Sequence, residues 1–204
     1  MGPRQSAVIG ISGSLRAGSY TTMAVAAALR GAAETGATTQ LIDLRDYRLT
    51  LSTGADEDAS YPDSLAALRE LVKAADGIVL GTPEYHGSFS GVLKNALDLM
   101  GFEEFEGKMI GLVGVSGGQM GAFDALSNLR NIGRALHAWV VPEQASIPEA
   151  WKVFNADGSV RDQRLEERLR TVGRQVARFA SLHRFEQHLD FVKAWEKAPE
   201  NPGG

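Results

Sequence analysis

The sequence predicts an α/β fold in which helices cover both faces of a doubly wound, five-stranded parallel sheet. Short apolar runs of strand length alternate along the chain with longer segments whose apolar residues recur at helical spacing. The first and third runs are apolar nearly throughout, which is typical of strands buried on both faces. Strands that alternate with helices in this way favour a parallel sheet.

The first half of the chain contains two predicted strands and two predicted helices. In order they are a strand at residues 6–12, an alanine-rich helix at about 23–34, a strand at 38–44 and a helix that starts at Asp63 or Ser64. Gly36 is a suitable stop for the first helix, and Asp63 or Ser64 can cap the second. The polar residues 45–62 predict a solvated loop, with a segment that closes over a ligand as the less common alternative.

The second half repeats the pattern. The predicted elements are a strand at 77–81, a helix at 89–100, a strand at 108–115, a helix at 122–137, a strand that begins at 139, and a final helix that carries Leu165, Leu169, Val172, Val176 and Phe179. Between the last two, residues 155–158 read Asn-Ala-Asp-Gly, which predicts a turn between two short extended pieces.

The length of 204 residues suits one folded domain better than two. We expect that domain to span residues 1–184, followed by an extension at 185–204. Apolar residues at helical spacing in the extension predict a short amphipathic helix that covers its own core or a partner subunit; they are Phe185, Leu189, Val192 and Trp195. The last five residues are expected to be disordered.

Composition and charge exclude several classes of function. The net charge of −4 argues against binding to nucleic acid, which requires a basic patch. No apolar run reaches membrane-spanning length, and the first residues lack a signal-peptide layout, so we expect a cytoplasmic protein. The chain has no cysteine, which excludes thiol chemistry and iron–sulfur ligation. The four histidines show no metal-ligand spacing, so redox chemistry would have to come from an organic cofactor.

A loop rich in serine and glycine follows the first strand and has the chemistry of a phosphate-binding loop. Its candidate residues are Ser14, Arg16, Ser19, Tyr20 and Thr21. Hydroxyl groups, an arginine fork and the start of a helix all favour a phosphate monoester. The loop does not match the patterns GxGxxG or GxxxxGK[ST], which argues against dinucleotide and nucleoside triphosphate sites. The alternative is a serine-rich capped turn in which Arg16 is only solvated.

The loop after the third strand reads Thr-Pro-Glu-Tyr-His-Gly-Ser at residues 82–88. Pro83 stiffens it, Gly87 lets the backbone approach a flat group closely, and Tyr85 offers an aromatic face. We therefore predict that this loop holds a flavin ring. For Glu84 and His86, a role in ligand binding and a role without function are equally well supported by the sequence. In the second case Glu84 is a surface charge or pairs with an arginine.

The loop after the fourth strand contains Ser116, Gly117, Gly118 and Gln119. Its paired glycines permit close approach to a ring edge, or else form a tight turn. The position of the phosphate-type loop after the first strand favours the flavodoxin-like strand order 2-1-3-4-5. In that order the three loops follow neighbouring strands, so they converge at one edge of the sheet.

These motifs resemble those of the NADPH-dependent FMN reductase family of flavodoxin-like proteins, which includes bacterial quinone, chromate and azo-dye reductases. The resemblance covers roughly the first 180 residues and is carried by GSLRAGSYT, TPEYHGSFSGVLKNALD and SGGQMG. It implies a bound FMN, with Ser14, Arg16, Ser19 and Thr21 at its phosphate. By the same resemblance, Pro83 to Gly87 flank the isoalloxazine ring, and Ser116 to Gly118 close its other side. Many relatives have Asn in place of His86.

The resemblance implies an FMN-dependent oxidoreductase that passes a hydride from NADPH or NADH to FMN and then two electrons to a quinone-like acceptor. Chromate, azo and nitro compounds are further acceptors, and a ping-pong order follows because both substrates need one ring face. No side chain need act as acid or base, so we assign no catalytic residue. The resemblance also implies a homodimer or homotetramer. The alternatives are a flavodoxin-type electron carrier, or a reductase that supplies reduced FMN to a monooxygenase.

Overall fold

A five-stranded parallel sheet forms the centre of the computed structural model, which describes residues 5–54 and 62–183. The strands are β1 (Ala7–Ser12), β2 (Thr38–Asp43), β3 (Gly77–Pro83), β4 (Met109–Val115) and β5 (Trp139–Ile147). Their order is β2-β1-β3-β4-β5, and every neighbouring pair is parallel. This confirms the predicted flavodoxin-like order.

Helices cover both faces of this sheet. They are α1 (Tyr20–Glu34), α2 (Asp63–Ala74), α3 (Gly91–Asp98), the short α4 (Phe102–Phe105), α5 (Phe123–Ala135), the short α6 (Ala150–Val153) and α7 (Gln163–Leu182). One apolar cluster joins α1, α6 and α7 to the sheet, and a second joins α2, α3, α4 and α5 to it. None of the helices in the described ranges is both long and apolar enough to cross a membrane.

Small residues let α1 and α7 pack at very short distance. A Cβ atom built on Gly173 would lie 1.8 Å from the carbonyl oxygen of Ala28, and one built on Gly31 would lie 2.1 Å from the carbonyl oxygen of Arg170. Because such distances are far below van der Waals contact, any side chain at either glycine would force the helices apart. The alanine-rich composition of α1 therefore reflects helix packing as well as helix propensity.

Several predicted boundaries differ from the structure. Helix α1 starts earlier than expected, at Tyr20, because Ser19 caps it; Gly36, at a φ of 87°, ends it as predicted. The prediction that Asp63 or Ser64 caps α2 is wrong, since Pro62 occupies the cap position and the Ser64 hydroxyl donates to the carbonyl of Arg48. Helix α3 is shorter than predicted at both ends, and β5 continues well beyond its predicted start.

Two connecting segments also differ. The described part of the 45–62 segment is anchored to α3, because the Ser52 N–H donates to Asn95 Oδ1 at 2.9 Å and Asn95 Nδ2 donates to the carbonyl of Thr50 at 2.9 Å. In the 151–160 segment the predicted turn is present and is closed by a bridge between Phe154 and Val160. The piece before the turn is helical rather than extended. The predictions for residues 185–204 lie outside the described residues, so the domain boundary stays a prediction.

A buried lysine joins the amino end of β4 to the end of α2. Lys108 is 6% exposed, and its Nζ donates to the carbonyls of Val72 at 2.5 Å, Lys73 at 2.6 Å and Ala75 at 2.8 Å. These carbonyls belong to the helix end, where backbone acceptors lack partners within the helix. Burial lowers the pKa of Lys108 to about 8, although the nearby Asp76 and Glu104 oppose the shift.

The pKa of Lys108 predicts that stability rises with alkaline pH. Between the native pKa of about 8 and the ordinary value of 10.5, the unfolded chain binds more protons than the native protein, so the cost of burying the charge is relieved as pH rises. Between pH 7.5 and 10 we expect wild type to gain about 2 kcal/mol in unfolding free energy relative to Lys108→Met. Urea denaturation at several pH values measures this difference. A difference that does not change with pH would contradict the prediction.

Candidate functional site

The three candidate loops lie side by side at the carboxyl edge of the sheet. The first loop (residues 13–18) follows β1, the second (84–89) follows β3, and the third (116–121) follows β4. The strands are adjacent. The last residues of β3 and β4, Pro83 and Val115, lie opposite each other, and the last residue of β1, Ser12, lies opposite Gly81, two residues before the end of β3. The structure therefore brings the three loops to one edge, as the strand order predicted. One boundary differs, because Thr82 and Pro83 are buried residues of β3 rather than loop residues.

The first and second loops are joined by Ser90, which sequence analysis did not select. The Ser90 hydroxyl donates to the carbonyl of Gly13 at 2.6 Å and accepts from the N–H of Leu93 at 3.2 Å, so it also caps α3. The N–H of Gly13 donates to the carbonyl of Gly81 at 2.8 Å. A Cβ atom on Gly13 would lie 2.6 Å from the Cβ of Leu93, so this close approach requires glycine. A serine just before a helical apolar pattern was the available signal.

Hydroxyl groups of the first loop are mostly buried at the start of α1. Ser14 is 3% exposed, and its Oγ accepts from the N–H of Arg16 at 3.4 Å. Ser19 Oγ accepts from the N–H groups of Thr21 at 3.1 Å and Thr22 at 3.4 Å, and it retains its own hydrogen for donation. Residues 15–18 are exposed, Arg16 among them. The capped turn considered as the alternative is thus present, and it leaves the Arg16 side chain facing solvent.

Tyr20 is engaged with a segment that follows β5. Its ring stacks on Phe154, with ring centroids 5.8 Å apart and an angle of 17° between the planes. Tyr20 as a whole is 37% exposed, so part of the residue stays accessible beside the first loop. Trp151, on α6 in the same segment, is 56% exposed, and Lys152 Nζ lies 4.9 Å from the centroid of its ring. The segment after β5 therefore forms a further wall of this edge, which sequence analysis missed.

The second loop is built on a tight two-residue turn. The backbones of Tyr85 and Ser88 exchange hydrogen bonds of 2.9 and 3.1 Å. His86, at a φ of 52°, and Gly87, at a φ of 74°, lie between them, which is the geometry of a type I′ turn. Both central positions favour Gly, Asn or Asp, so an Asn in place of His86 would suit the backbone conformation by itself. The Tyr85 side chain is 48% exposed at the tip.

Glu84 points away from the loop tips. Its Oε2 accepts from the N–H of Ala125 at 3.0 Å, in the first turn of α5, and its own N–H donates to the carbonyl of Val115 at 2.8 Å. Within the described ranges Glu84 makes no ion pair, so the suggestion that it pairs with an arginine is not what the structure shows. The backbone of Glu84 remains at the edge, while its carboxylate serves a helix.

The third loop is fixed by the end of β5. The N–H of Ser116 donates to the carbonyl of Ile147 at 2.8 Å, and the carbonyl of Ser116 accepts from the N–H of Ala150 at 3.0 Å. Gly121 needs to be glycine, because its φ is 74° and a Cβ there would lie 2.4 Å from Ser146 Oγ. Gly117 differs, since a Cβ built on it would have nothing within 4 Å. The fold of the described chain therefore gives no reason for glycine at position 117.

Large apolar side chains are exposed around the same edge. In the third loop Met120 is 92% exposed, and Gln119 is exposed next to it; Phe123, at the start of α5, is 64% exposed. Tyr85 on the second loop is also exposed, so each of the two loops carries an accessible apolar side chain. Such a surface fits a flat aromatic group better than a compact charged one.

Comparisons with known proteins agree on one family. The profile of the NADPH-dependent FMN reductase family matches residues 6–152, which include all three loops. An FMN-dependent NADPH-azoreductase of Staphylococcus saprophyticus is 40% identical over 138 residues, which cover 66% of this chain and 72% of that protein. One of Staphylococcus aureus is 41% identical over 124 residues, which cover 60% of this chain and 65% of that protein.

A solved structure extends the likeness beyond the profile match. The flavoenzyme NAD(P)H:(acceptor) oxidoreductase of Paracoccus denitrificans aligns with a TM-score of 0.66 and 27% identity. The alignment covers 87% of this chain and 98% of that one. The structural likeness thus covers most of the chain.

The turn geometry at His86 generates a stability prediction. We expect His86→Asn to keep or slightly raise the unfolding free energy, because Asn adopts positive φ readily. We expect His86→Val to lower it by about 1–2 kcal/mol, because a β-branched side chain is strained in the left-handed region. Urea denaturation compares the two variants with wild type. Equal stability of the Asn and Val variants would contradict a positive φ at this position.

Proposed function

The chain belongs to the NADPH-dependent FMN reductase family, and from this premise we propose that its carboxyl edge binds FMN. We propose that the protein is an oxidoreductase that moves two electrons from NAD(P)H to a small-molecule acceptor. The observation that carries the proposal is the meeting of three loops at the ends of the adjacent strands β1, β3 and β4. In open α/β sheets this edge is where ligands bind.

The first loop fits the phosphate of FMN. The start of α1 offers the positive end of the helix dipole. The Ser19 hydroxyl, which accepts from the N–H groups of Thr21 and Thr22, still has a hydrogen to donate. In this proposal Arg16 and the exposed backbone of residues 15–18 contact the phosphate, while the buried Ser14 and Thr21 shape the loop. In this proposal the partly exposed Tyr20 borders the same site.

The second and third loops fit the two sides of the flavin ring. The backbone of residues 84–87 lines one side, with Tyr85 at the tip and the buried Pro83 beneath it. Ser116, Gly117, Gly118 and Gln119 line the other side. The open space around Gly117 supports this assignment. The fold would accommodate a side chain at this position, yet the residue is glycine, and a bound ring edge would need the space that a side chain would fill.

The chain supplies position and polarity rather than acid–base groups. Bound FMN would supply the hydride acceptor and the electrons for the second substrate. In this proposal, N–H groups of the third loop other than those of Ser116 and Gly118, which donate within the protein, stabilise negative charge at the ring edge, and the loops hold the reactants in order. Both substrates need the exposed ring face, so we propose a ping-pong order with no catalytic side chain.

The exposed apolar border of the site supports flat aromatic acceptors. Met120, Phe123 and Tyr85 offer contact area to a quinone, an azo dye or a nitroaromatic compound. We propose this class of acceptor, with an azo compound given weight by the names of the Staphylococcus relatives. Chromate, which the resemblance also suggested, is a compact anion and fits these apolar side chains less well.

We also propose that the protein forms a homodimer or homotetramer. The apolar side chains exposed around the carboxyl edge, Trp151 and Met120 among them, would be partly covered by a second subunit. A site bordered by two subunits would also restrict the access of water to the ring face.

The proposed function is tested by flavin spectroscopy without oxygen. Purified protein is loaded with FMN, NADPH is added, and the flavin absorption is followed until a quinone or an azo dye is supplied. We expect bleaching by NADPH and recovery by the acceptor, with steady turnover and no partner protein. Bleaching without turnover would favour the electron carrier, and rapid loss of reduced FMN would favour supply to a monooxygenase. Protein that takes up no FMN would contradict the proposal.

A matched pair of glycine variants tests the ring side of the site. We expect Gly117→Ala to weaken FMN binding about tenfold or more, because a methyl group would occupy the space assigned to the ring edge. Gly101→Ala is the control, since a Cβ at Gly101 also meets nothing within 4 Å but lies at the other end of α3. Fluorescence titration gives the FMN affinity, and urea denaturation should show both variants folded. Equal FMN affinity of the two variants would contradict the assignment.

A further inference from the structure

Helix α5 has no cap of its own, although it begins beside the candidate site. Its cap residue is Ala122, which offers no side-chain acceptor. By contrast, Ser19 caps α1, Ser90 caps α3 and Asp162 caps α7, each with an oxygen that accepts from the first turn. The first N–H groups of α5 therefore need an acceptor from elsewhere in the chain.

Glu84 supplies that acceptor from the end of β3. Its Oε2 accepts from the N–H of Ala125 at 3.0 Å, which is the bond a local cap residue usually makes. A carboxylate at this position also lies at the positive end of the helix dipole. Glu84 is thus the cap of α5, and it is contributed by a residue that belongs to the second loop.

The same residue fixes the direction of the second loop. The N–H of Glu84 donates to the carbonyl of Val115 at 2.8 Å, and the tight turn at Tyr85–Ser88 follows directly. A weaker contact joins the far leg of the turn to α5, where Asn128 Nδ2 donates to Ser88 Oγ at 3.3 Å. The carboxylate of Glu84 is therefore the strongest side-chain link between the turn and α5 in the described structure.

The third loop leads straight into α5, so a residue that ties the second loop to α5 also sets its distance from the third loop. We propose that Glu84 is a positioning residue, which fixes the spacing of the two loops that would hold the flavin ring without touching the ring through its own side chain. This inference rests on the proposed function. In this inference Glu84 acts by holding the second loop against α5, and its charge does not act on the reacting atoms.

Three substitutions of Glu84 separate the effect of side-chain length, which we call reach, from the effect of charge. Glu84→Gln keeps the length of the side chain and an oxygen acceptor but removes the charge. Glu84→Asp keeps the charge but withdraws the oxygen by one methylene from the Ala125 N–H. Glu84→Ala removes both. The control is Asp162→Ala, which removes the cap of α7, where Asp162 Oδ1 accepts from the N–H groups of Arg164 at 2.8 Å and Leu165 at 3.3 Å.

The measurements are the FMN dissociation constant, the absorption spectrum of bound FMN, and the unfolding free energy of the FMN-free protein. We expect Glu84→Asp and Glu84→Ala to weaken FMN binding about tenfold and to shift the flavin bands, and Glu84→Gln to stay within about threefold of wild type. We expect Asp162→Ala to lose as much stability as Glu84→Ala while it binds FMN as wild type does.

Each other outcome overturns the inference in a recognisable way. If Glu84→Gln binds FMN weakly while Glu84→Asp binds it as wild type does, the charge of the side chain and not its reach is what matters. If FMN binding is unchanged in all three variants, or falls equally in Asp162→Ala, the cap of α5 does not position the site. If wild-type protein binds no FMN, the proposed function fails first, and the inference fails with it.

Discussion

The carboxyl edge of this sheet depends on one hydroxyl group. Ser90 donates to the carbonyl of Gly13 and accepts from the N–H of Leu93, so its hydroxyl joins the first loop to the start of α3. The contact forms only because Gly13 has no side chain to separate the backbone from Leu93. Loops that present backbone donors to a ligand need such an anchor, because an error of 1 Å in their position removes most of the benefit.

Helix ends in this protein are often satisfied by residues far away in the chain. Glu84 accepts from the first turn of α5, Ser146 Oγ accepts from the N–H of Ala122 at 2.8 Å, and Lys108 donates to the last carbonyls of α2. All three residues lie in or directly beside strands. The register of the sheet therefore sets the position of the helices as well as the position of the strands. An orphan backbone group at a helix end is a strong constraint, since leaving it buried and unpaired costs about 1–3 kcal/mol.

The arrangement of polar groups suits a protein whose chemistry lies in a bound cofactor. Hydroxyl groups near the first loop are buried and committed to caps and turns, while backbone segments, one arginine and apolar side chains are exposed at the edge. Among the exposed groups, Tyr85, Met120 and Phe123 offer surface rather than acid–base chemistry. The geometry thus favours the binding and alignment of flat molecules, which agrees with membership of the NADPH-dependent FMN reductase family.

The sequence by itself determined the fold class, the strand order, the convergence of three loops and the family, because apolar periodicity and short glycine-rich motifs are local signals. It did not reveal α4, whose four residues are too few for a periodic pattern, or the full length of β5, whose register shift brings polar residues into an edge strand. Only the tertiary structure showed that Ser90 joins two loops and that Glu84 caps α5. Ser90 acts on a partner 77 residues away and Glu84 on a partner 41 residues away. Local sequence patterns do not show such pairs, because only the packing of the folded chain brings them together.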